Sequence, residues 1–252
     1  MEDFSDVMDW KNFFKQSENF KNSKPCKFAF VENVFKKDFY EKLYDTYPNF
    51  DESWKDGSTL IKAQLIKGWG KYSHDDIISN QEDPNVSKEW NKFFRYIHTT
   101  EFAENLKKFS MIPVNRLKSF RFVGYRTGGF QAPHTHNIGP STLIVFFYFS
   151  KNWQKGDPGG TYVSSSEDES SIIFEPYDLD NSMVILHDGP YAAHGVRYIT
   201  KNVERKAIQL YFEEYSSETG WSGFTEKEVL ERAGEFKPEH FTKHPNPNII
   251  SS

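Results

Sequence analysis

Cysteine is nearly missing from this chain: Cys26 is the single one in 252 residues. No internal disulfide can form, which argues against a small secreted scaffold stapled by bridges. Long apolar runs are missing too. The longest, Leu143 to Phe149, falls far short of the roughly 20 residues that cross a bilayer, so it reads as a buried strand and no membrane partner is expected. There is no surplus of basic charge either. Lys and Arg number 31 against 36 Asp and Glu, the net charge is −5, and the two signs are interspersed. Such a chain sets up no field that would displace counterions from DNA or RNA, so nucleic acid is not an expected partner. The opening Met1-Glu2-Asp3-Phe4-Ser5 has neither the basic nor the apolar region of a signal peptide. A reduced, cytoplasmic protein is the expectation. No internal repeat or low-complexity tract is found.

Aromatic residues, by contrast, make up 17 % of the chain, enough for a large core. A chain of this length buries on the order of 70 to 75 % of its unfolded surface as one domain. The sequence divides that domain, residues 1–252, into three parts. Residues 1–114 read as a helical support with one strand, residues 115–215 as the β core, and residues 216–252 as a C-terminal helix and tail.

In the first part, residues 1–22 carry Phe4, Met8, Trp10, Phe13 and Phe14 at helical spacing. Lys27 to Val34 alternates as a strand, and Lys37 to Tyr47 repeats at three and four as a helix stopped by Pro48. Residues 49–84 are rich in Asp, Gly, Ser and Lys. They read as a long exposed excursion with a short strand at Leu60 to Ile66, and long loops of this kind often cover sites. Ser87 to Phe109 predicts two helices broken near Thr99-Thr100. Beyond Asn115 the spacing predicts eight strands: Leu117 to Tyr125, Gln131 to Asn137, Thr142 to Ser150, Gly160 to Ser164, Ser171 to Pro176, Ser182 to His187, Ala193 to Tyr198 and Lys206 to Glu214. Eight short strands at this spacing fit a mostly β fold with flanking helices, a double-sheet jelly roll. Thr225 to Ala233 reads as a helix before a Pro-rich tail.

The chemistry concentrates in Pro133-His134-Thr135-His136-Asn137 and in His194. Side chains two apart on a strand share a face, and a third histidine on a returning strand could complete one face of a metal's coordination sphere. In the last strand Arg205, Ala207, Gln209 and Tyr211 share one face while Ile208, Leu210 and Phe212 share the other. A polar interior beside an apolar exterior fits a barrel packed from outside by helices. The acidic, serine-rich Ser164 to Ser171 reads as a solvated hairpin tip.

Several motifs in order, Tyr125 to Asn137, Phe147 to Trp153, Gly159-Gly160, Glu175-Pro176, Ala193-His194-Gly195-Val196 and Arg205 to Phe212, resemble the double-stranded β-helix of Fe(II)- and 2-oxoglutarate-dependent oxygenases. Their order and spacing are most similar to the prolyl-hydroxylase branch. The resemblance implies a dioxygenase that hydroxylates or otherwise oxidises a small-molecule or peptide substrate with O2, releasing succinate and CO2. It implies His134, His136 and His194 as ligands to Fe(II), with His136 standing where the family carries a carboxylate. It further implies Arg205 as the base that grips the distal carboxylate of 2-oxoglutarate, Tyr148 beside it, and Tyr125 lining the other end of that pocket. His136 could alternatively stand outside the coordination sphere. His187 reads as structural or as a pocket polar group, and Trp153, Tyr162, Tyr177, Tyr191, Tyr198 and Tyr211 as candidate pocket walls. Two other classes stay open. One is a cupin-type three-histidine dioxygenase with no need of 2-oxoglutarate, although the second cupin glycine is replaced by Tyr191. The other is a barrel that binds a ligand without catalysis.

Overall fold

The computed structural model describes residues 2–70, 81–136, 141–189, 191–216 and 220–221. In chain order the elements begin with α1 (Trp10–Phe14), α2 (Ser17–Asn22), β1 (Phe28–Glu32), α3 (Lys37–Asp45), β2 (Lys55–Asp56), β3 (Lys62–Ala63) and β4 (Leu65–Gly68). Next come α4 (Lys88–Ile97), α5 (Thr100–Ser110), β5 (Arg116–Tyr125), β6 (Phe130–His134), β7 (Thr142–Phe149) and β8 (Thr161–Ser164). The last are β9 (Ile172–Phe174), β10 (Asp180–His187), β11 (Ala193–Val196), β12 (Arg205–Glu213), β13 (Tyr215–Ser216) and β14 (Gly220–Trp221).

A seven-stranded sheet runs β1-β10-β7-β12-β5-β4-β2 and faces a five-stranded one of order β3-β6-β11-β8-β9. Every ladder is antiparallel. Alternation decides what each face meets. On β7, Leu143, Val145, Phe147 and Phe149 join the outer core under the helices, while Ile144, Phe146 and Tyr148 point between the sheets. With both faces covered, β7 is buried throughout, which is why it is the longest apolar run in the sequence. β12 divides the same way: Ile208, Leu210 and Phe212 lie outside and Ala207 and Tyr211 inside.

The outer core is aromatic. Trp69 stacks on Phe94 at 3.9 Å and 3°, and Trp90, Phe93, Phe120, Phe122, Phe147 and Phe149 are all buried around it. Each such side chain contributes about 1.5–3 kcal/mol through burial. The helix break that the sequence predicts falls at His98–Thr99. Thr99 is extended there and its hydroxyl accepts from the Phe102 N–H at 3.2 Å, capping α5. Ser87 caps α4 in the same manner at Trp90.

Some expectations shift. The amphipathic first segment forms two short helices, because Lys15 and Gln16 close α1 with turn hydrogen bonds before α2 starts. Residues 49–84 are less open than their composition suggests. Their described part supplies β2 and β4 to the large sheet and β3 to the small one, and buries Trp54, Ile66 and Trp69. The single strand expected at Leu60 to Ile66 is split at Gln64, so β3 and β4 enter different sheets. The strands expected to reach Asn137, Pro176 and Tyr198 stop at His134, Phe174 and Val196. The helix expected at Thr225 to Ala233 lies outside the described residues, as do residues 71–80. Among the described residues, no helix is long and apolar enough to cross a membrane.

Candidate metal centre

β6 and β11 are neighbours in the small sheet, and their register sets His134 directly opposite His194. His136 lies two residues past His134, beyond the end of β6, so strand alternation does not orient it. It still joins the other two. Ring centroids lie 4.7 Å apart for His134 and His136, 4.5 Å for His134 and His194, and 4.9 Å for His136 and His194. One nitrogen from each falls within 4.8 Å of the others. A carboxylate in the loop after β8 holds the segment that carries His136: Glu167 accepts from the Thr135 N–H at 3.1 Å and from its hydroxyl at 2.7 Å.

The donor chemistry fits a divalent metal. Nδ1 of His134 lies 2.9 Å from the Ala132 carbonyl and Nδ1 of His194 lies 2.8 Å from that of Ala192. A carbonyl only accepts, so each Nδ1 carries the proton and each Nε2 presents a lone pair. Gln131 Nε2 already donates to Nε2 of His134 at 3.2 Å, using the lone pair that a metal would take. Burial, followed by the neighbouring imidazoles, holds His134 well below the ordinary histidine range. Burial, then His136, pulls His194 down to about 4. Both are therefore neutral near pH 7, the form that ligates metal.

Arg205 opens β12 opposite Tyr125 of β5, and its neighbour on the same face, Ala207, lies opposite Tyr148 of β7. The guanidinium is almost wholly buried, at 1 % exposure, and sits 4.9 Å from the Tyr125 ring and 5.0 Å from the Tyr148 ring. Its Nε donates to the Gly159 carbonyl and its Nη2 to the Thr161 hydroxyl, both at 3.0 Å. Nη1 is buried with no hydrogen-bond partner. Among the described residues, no carboxylate lies within ion-pair distance of this cation. The Tyr148 oxygen accepts from the Thr161 N–H at 3.1 Å, leaving its own O–H to donate. Burial raises the Tyr148 hydroxyl, and the Arg205 charge offsets part of that rise. The same two causes leave Tyr125 at about 12.

The two groups of residues are joined. Thr161, which holds Arg205, lies opposite Val196 on β11, two residues from His194, roughly 7 Å along a strand. The single Tyr125 O–H proton is shared between the side-chain carbonyl oxygens of Gln64 at 2.9 Å and Gln131 at 3.2 Å, and Gln131 in turn reaches His134. Contacts thus run from Arg205 and its two tyrosines through Gln131 to His134 and the other two histidines.

Other expectations fare differently. Tyr211, with its ring 6.3 Å from His136, faces the trio, and Gln209 and Arg121 both donate to its hydroxyl. Tyr177 and Tyr191, expected as pocket walls, are 37 % and 70 % exposed. Each lies outside the strands, where alternation gives no guide. His187 ends β10 opposite Leu143, outside the trio. The solvated hairpin tip contains the half-buried clamp Glu167. Sequence reading also passed over Gln131, Arg121 and Asp188, whose roles come from pairing across strands rather than from local spacing.

No protein-family model matches the chain, and no curated protein resembles its sequence at a significant level. Solved structures do resemble it. A prolyl-4-hydroxylase from Pseudomonas putida superposes with a TM-score of 0.55 at 12 % identity, over 78 % of this chain and 98 % of its own. A prolyl hydroxylase from Trichoplax adhaerens, in complex with a hypoxia-inducible-factor peptide, gives 0.54 at 14 % identity over 90 % and 93 %. HygX from Streptomyces hygroscopicus, with nickel and 2-oxoglutarate bound, gives 0.52 at 12 % over 84 % and 88 %. The fold is that of the 2-oxoglutarate-Fe(II) oxygenases. It is a jelly roll, with a possible three-histidine metal site where the strands of the small sheet converge.

Proposed function

We propose that this chain is an Fe(II)- and 2-oxoglutarate-dependent dioxygenase that hydroxylates or otherwise oxidises an unactivated C–H bond, consuming O2 and releasing succinate and CO2. One observation carries the reading: a buried guanidinium with an unused donor and, among the described residues, no carboxylate partner, set within one strand's short reach of three converging imidazoles. A buried cation without a counter-charge is costly, and a dicarboxylate that also reaches the histidines would relieve that cost.

In this reading His134, His136 and His194 hold the metal. Bound Fe(II) supplies the redox chemistry that couples oxidative decarboxylation of 2-oxoglutarate to oxidation of the substrate. Arg205 receives the distal carboxylate through Nη1, its planar fork fixed by Gly159 and Thr161. Tyr148 donates its O–H to the same carboxylate, and Tyr125 walls the pocket while keeping Gln131 in place. Three neutral imidazoles leave a divalent ion at +2, and the 2-oxoglutarate dianion neutralises it. The peptide bound to the Trichoplax enzyme supports a peptide or a small molecule of similar width as substrate, and the exclusion of nucleic acid and membrane as partners rests on the charge and run-length arguments alone.

The test is anaerobic loading with Fe(II), metal analysis, then exposure to O2 with 2-oxoglutarate. Stoichiometric metal and slow succinate release without added substrate are expected. A second reading, oxidation without 2-oxoglutarate, is favoured by the absence of a carboxylate from the trio. Metal uptake with no succinate under any substrate would select it. A chain that takes up no metal would be a non-catalytic binding barrel.

A further inference from the structure

The three histidines are not held alike. Carbonyls fix the Nδ1 protons of His134 and His194, whereas Nδ1 of His136 is buried with no hydrogen-bond partner. The acceptor it faces is a carboxylate: Asp188 Oδ1 lies 3.4 Å away, and the Asp188 side chain has no exposed surface. Asp188 sits just past β10, pinned by its N–H to the Thr142 carbonyl at 3.0 Å, at the start of β7. The chain thus brings a buried carboxylate to the back of the one imidazole that stands where a carboxylate would be expected.

The surroundings balance this charge. Lys118 lies 3.7 Å from Glu213, and Arg116 holds Glu213 with two bonds of 2.6 and 2.8 Å. The Asp188 charge favours the ammonium of Lys118, whose pKa is nonetheless lowered by burial. Two half-buried cations, Arg116 and Lys118, thus pair with the buried Glu213, and the Lys118 charge is felt by the buried Asp188 that faces His136.

We propose that Asp188 is a positioning residue for the metal centre: it takes the Nδ1–H of His136, turns Nε2 toward the other two imidazoles, and supplies one bond further out the negative charge that the trio lacks. The inference rests on the metal-centre reading above. A carboxylate behind a ligating imidazole fixes its tautomer and raises its basicity, and losing such a partner typically costs 10- to 100-fold in metal affinity. The pair stands at 3.4 Å without hydrogen-bond geometry, so a closure of a few tenths of an ångström belongs to the proposal.

The experiment measures Co(II) and Fe(II) affinity anaerobically by calorimetry for the full chain and for Asp188→Asn, alone and combined with His136→Asp. Asp188→Asn in the natural background is expected to weaken metal 10- to 100-fold, with the circular dichroism spectrum unchanged. With Asp at 136 the sign should reverse, because two carboxylates would then face one another and the amide relieves the repulsion. Unchanged affinity in the natural background, or an equal loss in both backgrounds, overturns the proposal. Wild-type protein that binds neither metal overturns the metal-centre reading along with it. If Asp188→Asn fails to fold, the nitrogen-15 spectrum of Zn(II)-loaded wild type decides: a proton on His136 Nδ1 supports the assignment, and one on Nε2 refutes it.

Discussion

Arg205 gives the sharpest quantitative test of the co-substrate site. Replacing it with Lys keeps the charge but removes the fork whose bonds to Gly159 and Thr161 aim Nη1, so the charge-assisted bond to the carboxylate is lost or misdirected. Each such bond contributes about 1.5–3 kcal/mol, and a loss of about 2 kcal/mol corresponds to roughly 30-fold weaker binding of 2-oxoglutarate. Arg205→Met removes the charge altogether, and losing one partner of a buried ion pair costs about 3–5 kcal/mol, between two and nearly four orders of magnitude in affinity. Stability of the ligand-free protein should behave differently. The Met variant loses the bonds to Gly159 and Thr161 and the contacts with two tyrosine rings, but it also removes a cation that lacks a counter-charge. These terms oppose each other, so the ligand-free variant should stay within about 2 kcal/mol of wild type. Thermal denaturation with Mn(II), without oxygen, and with or without 2-oxoglutarate separates the two effects. At a hundred times its dissociation constant the co-substrate should stabilise wild type by about 2.7 kcal/mol and the Met variant hardly at all. If both variants bind 2-oxoglutarate like wild type, or if the Met variant unfolds without ligand, Arg205 is a structural residue and the co-substrate site lies elsewhere.

Three further outcomes follow from packing and charge. Glu167→Ala should lose about 1–3 kcal/mol and weaken metal binding by freeing the Thr135 turn, with Glu167→Gln milder; urea denaturation and calorimetry check both. Gly195→Ala would set a Cβ 2.4 Å from the Tyr162 hydroxyl and 2.6 Å from the Gln131 carbonyl, so it should cost about 1–3 kcal/mol and displace the strand that carries His194. Equal stability by urea denaturation would contradict that strand's placement. For pH, the folded value of His194 is depressed from 6.5 to about 4, so as pH falls the unfolded chain takes the proton first. Stability that is full above pH 6.5 should drain away down to about pH 4, by on the order of 3 kcal/mol. Urea curves of metal-free protein should show this slope, and His194→Asn should flatten it; an unchanged slope would mean that the imidazole is not desolvated.

The sequence made the framework legible where one physical signal dominated. Alternation and short apolar runs bounded by turn residues located β5, β7, β10 and β12 to within a residue or two. Helical spacing from Ser87 and the break near Thr99-Thr100 marked two helix starts, at which the structure shows capping hydroxyls. His134 and His194 were readable as a pair because a cross-strand partner needs only correct register. His136 was placed for an incomplete reason: alternation stops with β6, and its segment is held at Thr135 by Glu167, 32 residues from that threonine. Asp188 was visible only as a turn residue, because its meaning comes from a neighbour that chain folding supplies. Residues 49–84 were misjudged from composition, since two tryptophans buried under polar flanks weigh little in a window average.

The order of the large sheet bears on how the molecule is made. Both of its borders come from residues before position 70, with β1 at one end and β4 and β2 at the other, whereas its four middle strands all come from residues beyond 115. A chain emerging from the ribosome therefore exposes two unpaired margins long before their partners exist: Phe28 waits for Leu186, and Leu65 for Gly124. Closing such distant pairings places folding among the slow, non-local cases, milliseconds to seconds. Until β10 and β12 arrive, β1 and β4 are open to pairing with another nascent copy.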